Sequence, residues 1–312
     1  MSKKEEQEYE EYENLKNSKF KQQKLPGWRP VPSMGRTVTI FFSLAVVFTG
    51  LGVLIFLFSN ETVEEINRYD DVFPCNISEN CNITININKK MKKNVFVYYK
   101  LEGFYQNHIR FVRSRSEAQL KGEEVTKDEI KKSKDCDPII TNKEVNNEKS
   151  MALNRDDELA YPCGLMAKNF FNDTFTFYYE NDTQIVVDET NIARKSDREK
   201  YKNNVYNSSK HWINMTDEHF LVWMRPSPFS NFSKLWGRIN EDLDKGKIRV
   251  EINNRYPVKH FDGGKYIVLR TINNFGGKNT VLAITYIIFG GVSLILGIIF
   301  VISFKARLKK EK

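Results

Sequence analysis

From Thr280 to Phe304 the chain runs about 25 residues without a charge. As a helix rising 1.5 Å per residue this covers roughly 37 Å. That crosses a bilayer core of about 30 Å with some tilt. Lys278 bounds the run on one side, and Lys305, Arg307, Lys309, Lys310 and Lys312 crowd the other. The crowded side is expected to be cytoplasmic. A second uncharged run, Thr37 to Ser59, follows Arg29 and Arg36 and reads as a second span. It is too long for the apolar part of a signal peptide, starts late and lacks a small-x-small cleavage site. The chain thus divides into a cytoplasmic tail (1–36), a span (37–59), an ectodomain (60–279), a span (280–304) and a short cytoplasmic tail (305–312). The ectodomain is expected in the secretory lumen or outside the cell.

With 40% apolar residues in 312, the chain is too polar for a transporter of many spans, so any transport must come from a partner. The net charge of +8 lies in the tails. Of 48 basic and 40 acidic residues, 8 and 6 fall in 1–36, and 5 and 1 in 305–312, which leaves 35 and 33 between. A nearly neutral secretory-side domain without a basic, aromatic-rich face argues against nucleic acid. The basic tails set orientation and can touch anionic phospholipid headgroups.

About 220 residues suffice for a core. All four cysteines, Cys75, Cys81, Cys136 and Cys163, fall in the ectodomain, as an oxidising compartment predicts. They allow three connectivities. Cys75 and Cys81 could form a tight clip, and Cys136 with Cys163 would staple the segment 121–150 to the core. Asn-x-Ser/Thr sequons at Asn60, Asn76, Asn82, Asn172, Asn181, Asn207, Asn214 and Asn231 also fall only there. Asn60 is too near the membrane to be used; the other seven are candidate glycosylation sites.

Strict alternation at Ile83, Ile85 and Ile87 predicts a strand, with Asn82 on its polar face. Strand-like runs recur at Val95–Tyr99, Phe175–Tyr179, Gln184–Val187, Phe220–Met224, Lys247–Ile252 and Tyr266–Ile272. Phe232, Leu235, Trp236, Ile239 and Leu243 predict an amphipathic helix ending near Gly246. The charged stretches 121–150 and 188–204 lack periodicity and read as surface excursions. The expected fold is mainly β: an antiparallel β-sandwich ectodomain with small helical insertions, anchored by two transmembrane helices.

No nucleophile elbow, zinc-protease or phosphate-loop motif occurs. The histidines His108, His211, His219 and His260 form no ligand pair, and no cofactor or metal is implied. The spans carry small residues at heptad spacing: Ala283, Gly290 and Gly297 in one, Ser43 with Gly50 and Ala45 with Gly52 in the other. Such faces admit a close helix, expected to be a partner's, with pairing of the two spans as the alternative. Before the first span, Leu25-Pro-Gly-Trp-Arg-Pro gives a stiff extended segment. Leu25, Pro26, Trp28 and Pro30 there are candidate contacts for a cytoplasmic partner, with anchoring of Trp28 at the membrane interface as the alternative.

Several blocks together are recognisable: Phe20-Lys-Gln-Gln-Lys-Leu-Pro-Gly-Trp-Arg-Pro, Asn94-Val-Phe-Val-Tyr-Tyr, Phe104-Tyr-Gln-Asn-His, Val112-Arg-Ser-Arg, Pro162-Cys-Gly, Phe171-Asn-Asp-Thr, Val222-Trp-Met-Arg, and Tyr256-Pro-Val-Lys-His-Phe-Asp-Gly to Gly276-Gly-Lys-Asn. In this order, over about residues 20–304, the chain resembles the cell-cycle control protein 50 family, the β-subunits of type IV P-type ATPase lipid flippases. The resemblance implies a β-sandwich on two spans without an active site. It implies a heterodimer with the ATPase, which the subunit helps to fold, to leave the endoplasmic reticulum and to complete its lipid translocation cycle. Residence would be in the endoplasmic reticulum, Golgi, endosomes or plasma membrane. Leu25-Pro-Gly-Trp-Arg-Pro resembles the family's cytoplasmic strap, with Gly27 and Arg29 departing from it. Pairing of Cys75 with Cys81 and of Cys136 with Cys163 fits the family pattern. Two other classes share parts of this design: a two-span ligand-gated channel subunit, which would carry more cysteines, and a receptor-like ectodomain.

Overall fold

The computed structural model describes residues 12–24, 33–75, 79–146, 148–204, 208–273 and 276–310. Two compact parts result, residues 1–54 with 281–312 and residues 55–280. The two apolar runs are helices, Met34–Glu61 and Thr280–Lys310. A helix bonds every backbone group within its own segment, as a lipid environment demands. Each helix continues past its uncharged core into flanking polar residues.

Among its described residues the second part holds nine antiparallel strands: β1 (Glu64–Arg68), β2 (Asn80–Ile87), β3 (Val95–Glu102), β4 (Thr174–Tyr179), β5 (Gln184–Ile185), β6 (Val187–Asp188), β7 (Phe232–Ile239), β8 (Gly246–Asn253) and β9 (Gly264–Arg270). One sheet has the order β1-β9-β3-β7-β6 and the other β2-β8-β4-β5. The alternation read from sequence sets the inward faces. Cys81, Ile83, Ile85 and Ile87 of β2 and Val95, Val97, Tyr99 and Leu101 of β3 are buried, while the residues between them point outward. Aromatic rings fill the space between. Tyr99 stacks on Phe171 with centroids 3.9 Å apart, and Trp236 meets Phe175 edge-on at 5.0 Å.

The entry and exit of this domain are tied together. β1 pairs with β9 from Glu64 opposite Arg270, and these two side chains form an ion pair. Beside them the Asn273 amide donates to the Phe58 carbonyl at 2.6 Å, and the Asn279 N–H donates to the Ser59 hydroxyl at 3.0 Å.

Two expected elements exchange type. Phe220–Met224, expected as a strand, belongs to a helix, Glu218–Met224, whose Asp217 cap accepts from the N–H groups of His219 and Phe220. The expected helix from Phe232 to Leu243 is instead β7. A five-residue apolar run has no period to read, and in β7 the buried Lys234 occupies a slot where alternation calls for an apolar residue. Gln184–Val187 is broken into two short strands, and β1 carried no recognised signal. The segment 121–150 is also more than a surface excursion. It forms helices Lys127–Ser133 and Asn142–Val145 and buries Ile130, Cys136 and Val145.

Candidate functional site

In the part formed by the spans, the small residues face each other. A Cβ on Gly290 would meet the Thr49 hydroxyl oxygen at 2.3 Å and the Thr49 backbone nitrogen at 3.0 Å. On Gly52 it would meet Ile287 at 2.7 Å and the Ala283 carbonyl at 3.0 Å, and on Gly297 it would meet Phe42 at 3.3 Å. Ala45 and Ala283 are buried, and Phe41 stacks on Phe300 with centroids 5.3 Å apart. The face expected to receive a partner's helix, Ala283–Gly290–Gly297, is therefore occupied by the chain's own first span. Close backbone approach favours this pairing, because dispersion between helices replaces looser contact with fluid tails. Gly50 and Gly291 lie off this seam, with nothing within 4 Å of an added Cβ.

In the ectodomain, one buried polar cluster joins the two sheets. Asp173, just before β4, is wholly buried and accepts from the Tyr69 hydroxyl at 2.6 Å, the Arg255 N–H at 2.6 Å and the Tyr256 N–H at 2.5 Å. Its fourth donor is the Lys265 ammonium of β9 at 2.7 Å. Lys265 also donates to the Tyr256 carbonyl at 2.6 Å and to Asn254. Burial pushes the Tyr69 hydroxyl well above its ordinary pKa, and the Asp173 charge adds to this. Burial pushes Lys265 down, against the opposing pull of Asp173.

Lys234 is a second buried ammonium. Its Nζ donates to the carbonyls of Val222 at 3.0 Å, Trp223 at 3.2 Å and Arg225. Burial pushes it down to about 7, and the nearby Arg225 charge acts the same way. Both lysines went unrecognised in the sequence. Lys265 reads as one of two cations, with Arg270, that flank the apolar run Tyr266–Leu269 of β9, and Lys234 merely blurred the alternation of β7.

Cys75 is bonded to Cys81 and Cys136 to Cys163, with Cα separations of 5.1 and 5.6 Å. The longer loop anchors 121–150 and contributes roughly 3–4 kcal/mol in the chain-entropy account. Gly164, next to Cys163, has φ +103°, and a Cβ there would lie 2.1 Å from the Ser114 carbonyl oxygen. Only glycine fits this approach. Of the candidate glycosylation sites, Asn82, Asn172, Asn181, Asn214 and Asn231 are all exposed. Asn76 and Asn207 lie outside the described residues, as does the strap with Leu25, Pro26, Trp28 and Pro30. No group of three or more His, Cys, Asp or Glu suited to a metal occurs among the described residues.

A family model described as the LEM3 (ligand-effect modulator 3) family / CDC50 family matches residues 3–310. The chain belongs to this family. The putative ALA-interacting subunit 2 of Arabidopsis thaliana is 37% identical over 293 residues, covering 84% of this chain and 80% of its own length. ALA-interacting subunit 3 of the same plant is 35% identical, with 86% and 79% covered. Cell cycle control protein 50A of Bos taurus is 31% identical, with 85% and 82% covered.

The structure gives the CDC50 blocks of the ectodomain a common physical role. Phe104 of the Phe-Tyr-Gln-Asn-His block packs on Trp223 at 5.7 Å, Tyr256 at 6.5 Å and Phe261 at 5.3 Å. Phe171 packs on Tyr256 at 5.3 Å, and Asp173 of the same block caps the Arg255 and Tyr256 N–H groups. Arg115 donates to the Met224 carbonyl at 3.1 Å. Far apart in sequence, these CDC50 blocks build one core.

Proposed function

We propose that this integral membrane protein is the non-catalytic accessory subunit of a type IV P-type ATPase phospholipid flippase. It supports the ATPase's folding, exit from the endoplasmic reticulum and lipid translocation cycle, with both of its own termini in the cytoplasm. What supports this reading is the family match, which runs through both spans and the whole ectodomain, together with relatives that are named ALA-interacting subunits.

With the seam between the spans internally filled, we place the contacts with the ATPase on other surfaces, the outer faces of the spans included. One is the strap with Leu25, Pro26, Trp28 and Pro30, whose stiffness limits the entropy lost on docking. Purification in gentle detergent is expected to bring down a large P-type ATPase identifiable by mass spectrometry, and its absence overturns the reading. Replacing Pro26 and Trp28 by alanine is expected to weaken that association while the ectodomain remains folded and disulfide-bonded. Expressed alone, the chain is expected to keep immature glycans.

A further inference from the structure

Where the first span enters the ectodomain, an open cleft of about 580 Å³ lies between the end of the helix and the loop after β2. Its walls include Phe58, Asn60 and Thr62 on one side and Lys89, Lys90, Lys92 and Lys93 on the other. We propose that this cleft binds the headgroup of an anionic glycerophospholipid from the leaflet on the ectodomain side. The inference rests on the membrane placement of the spans and not on the flippase reading.

Position is the first argument. Phe58 belongs to the apolar run that ends at Ser59, and Asn60, Glu61 and Thr62 follow it, so the cleft opens where hydrocarbon gives way to headgroups. A lipid can leave its chains in the apolar layer beside Phe58 and lift only its phosphate into the cleft.

Charge is the second. Lys90 is neutralised by Asp242 at 3.1 Å and Asp244 at 2.9 Å. Asp242 also accepts from the Lys93 N–H at 2.7 Å, which fixes the loop. Nearby Glu65 is engaged by the Asn88 backbone and side-chain amides at 3.1 and 3.0 Å. The side chains of Lys89, Lys92 and Lys93 are exposed and make no ion pair among the described residues, leaving Glu61 as the one carboxylate in the cleft wall set against them. The ammonium groups of Lys89, Lys92 and Lys93, the last of them also near Asp242, outnumber the Glu61 carboxylate in the cleft wall and match a phosphodiester bearing a further carboxylate. The volume falls within the roughly 300–1,000 Å³ of small-molecule sites.

An acidic protein segment could use the same lysines, but the apolar wall continuous with the span favours a lipid. A glycan on Asn60 would fill the cleft, so occupation by lipid also requires the Asn60 sequon to stay unmodified.

The test uses the full chain in phosphatidylcholine nanodiscs carrying a small fraction of photoactivatable phosphatidylserine or, separately, photoactivatable phosphatidylcholine. Crosslinked peptides are mapped by mass spectrometry. Labelling of the peptide containing Phe58–Thr62 is expected to favour phosphatidylserine several-fold, because juxtamembrane lysines attract anionic lipid. Lys89→Gln/Lys92→Gln/Lys93→Gln is expected to reduce it to the phosphatidylcholine level. Lys131→Gln/Lys132→Gln, at exposed positions of the helix Lys127–Ser133 outside the cleft lining, removes two charges and is expected to change nothing. Equal labelling by both lipids, or wild-type labelling in the triple variant, overturns the proposal. So does loss of a co-purifying protein from the triple variant with phosphatidylserine labelling intact, which assigns the lysines to a protein contact.

Discussion

At Asp173 a carboxylate without exposed surface sits at the junction of two sheets, and four donors make that tolerable. Desolvation of a buried ion pair is offset only while both partners and their hydrogen bonds remain. Asp173→Asn is therefore expected to destabilise the ectodomain by about 3–5 kcal/mol, since it strands the Lys265 charge. At about 2–4 °C per kcal/mol for a domain of this size, the melting temperature should fall by on the order of ten degrees. Asp173→Asn/Lys265→Met is expected to recover part of the loss. Circular dichroism melts of the full chain in detergent measure this, and a single variant within 1 °C of wild type would show that the pair is not what joins the sheets. The partners lie 92 residues apart, and nothing in sequence ties one lone lysine to one aspartate over such a distance. The cysteines left a stronger trace, because only three pairings were open and the short spacing already suggested one of them.

At the scale of elements, legibility followed the period. β2 and β3 alternate over eight residues each and were readable. The stretches 218–224 and 232–239 were not, since a buried short helix has no polar face and β7 spends a core position on Lys234. The segment 121–150 hid its structure differently, in its helix caps. Thr126 with Glu129 and Thr141 with Glu144 each form a reciprocal capping box. The Thr126 N–H and hydroxyl hold the Glu129 carboxyl below its ordinary 4.5. Burial works against Glu144, but the N–H groups of Thr141 and Ile140 prevail and hold it low as well. With the folded pKa depressed, the stabilisation is present above pH 4.5 and is lost as the pH falls through the folded values. Glu129→Gln is thus expected to speed protease cleavage within 121–150 at pH 7 while leaving the sandwich intact. The gap from wild type should close once the pH drops well below 4.5. A gap of equal size at the lowest pH would mean that the carboxylate charge is irrelevant to the cap. His211, pushed down by burial, acts in a separate window: its share of the stability declines as pH falls through its unfolded 6.5.

For the whole molecule, two long apolar helices that flank a strand-rich domain in sequence were legible because uncharged runs of this length have few alternatives. Which neighbour the small residues serve was not, because a close-packing face reads the same whether its partner is in the same chain or another. The chain's own two spans pair along this face, and what holds them together can be tested at adjacent glycines. Gly290 lies against Thr49, whose backbone nitrogen would be 3.0 Å from an added Cβ, so the clash cannot be relieved by turning a side chain alone. Gly291, one position on, has nothing within 4 Å. In a variant with Phe41→Cys and Phe300→Cys, whose rings stack at 5.3 Å in the native chain, oxidation is expected to link the spans. Adding Gly290→Leu should abolish that link, and adding Gly291→Leu should preserve it, as peptide mapping by mass spectrometry would record. Equal crosslinking in both would mean that the spans are held by their connection through the ectodomain and not by the seam. Loss of the link with Gly290→Leu while ATPase association survives would place the subunit contact away from the seam, on the strap, the ectodomain or the outer faces of the spans, where Val46 and Ile295 are exposed.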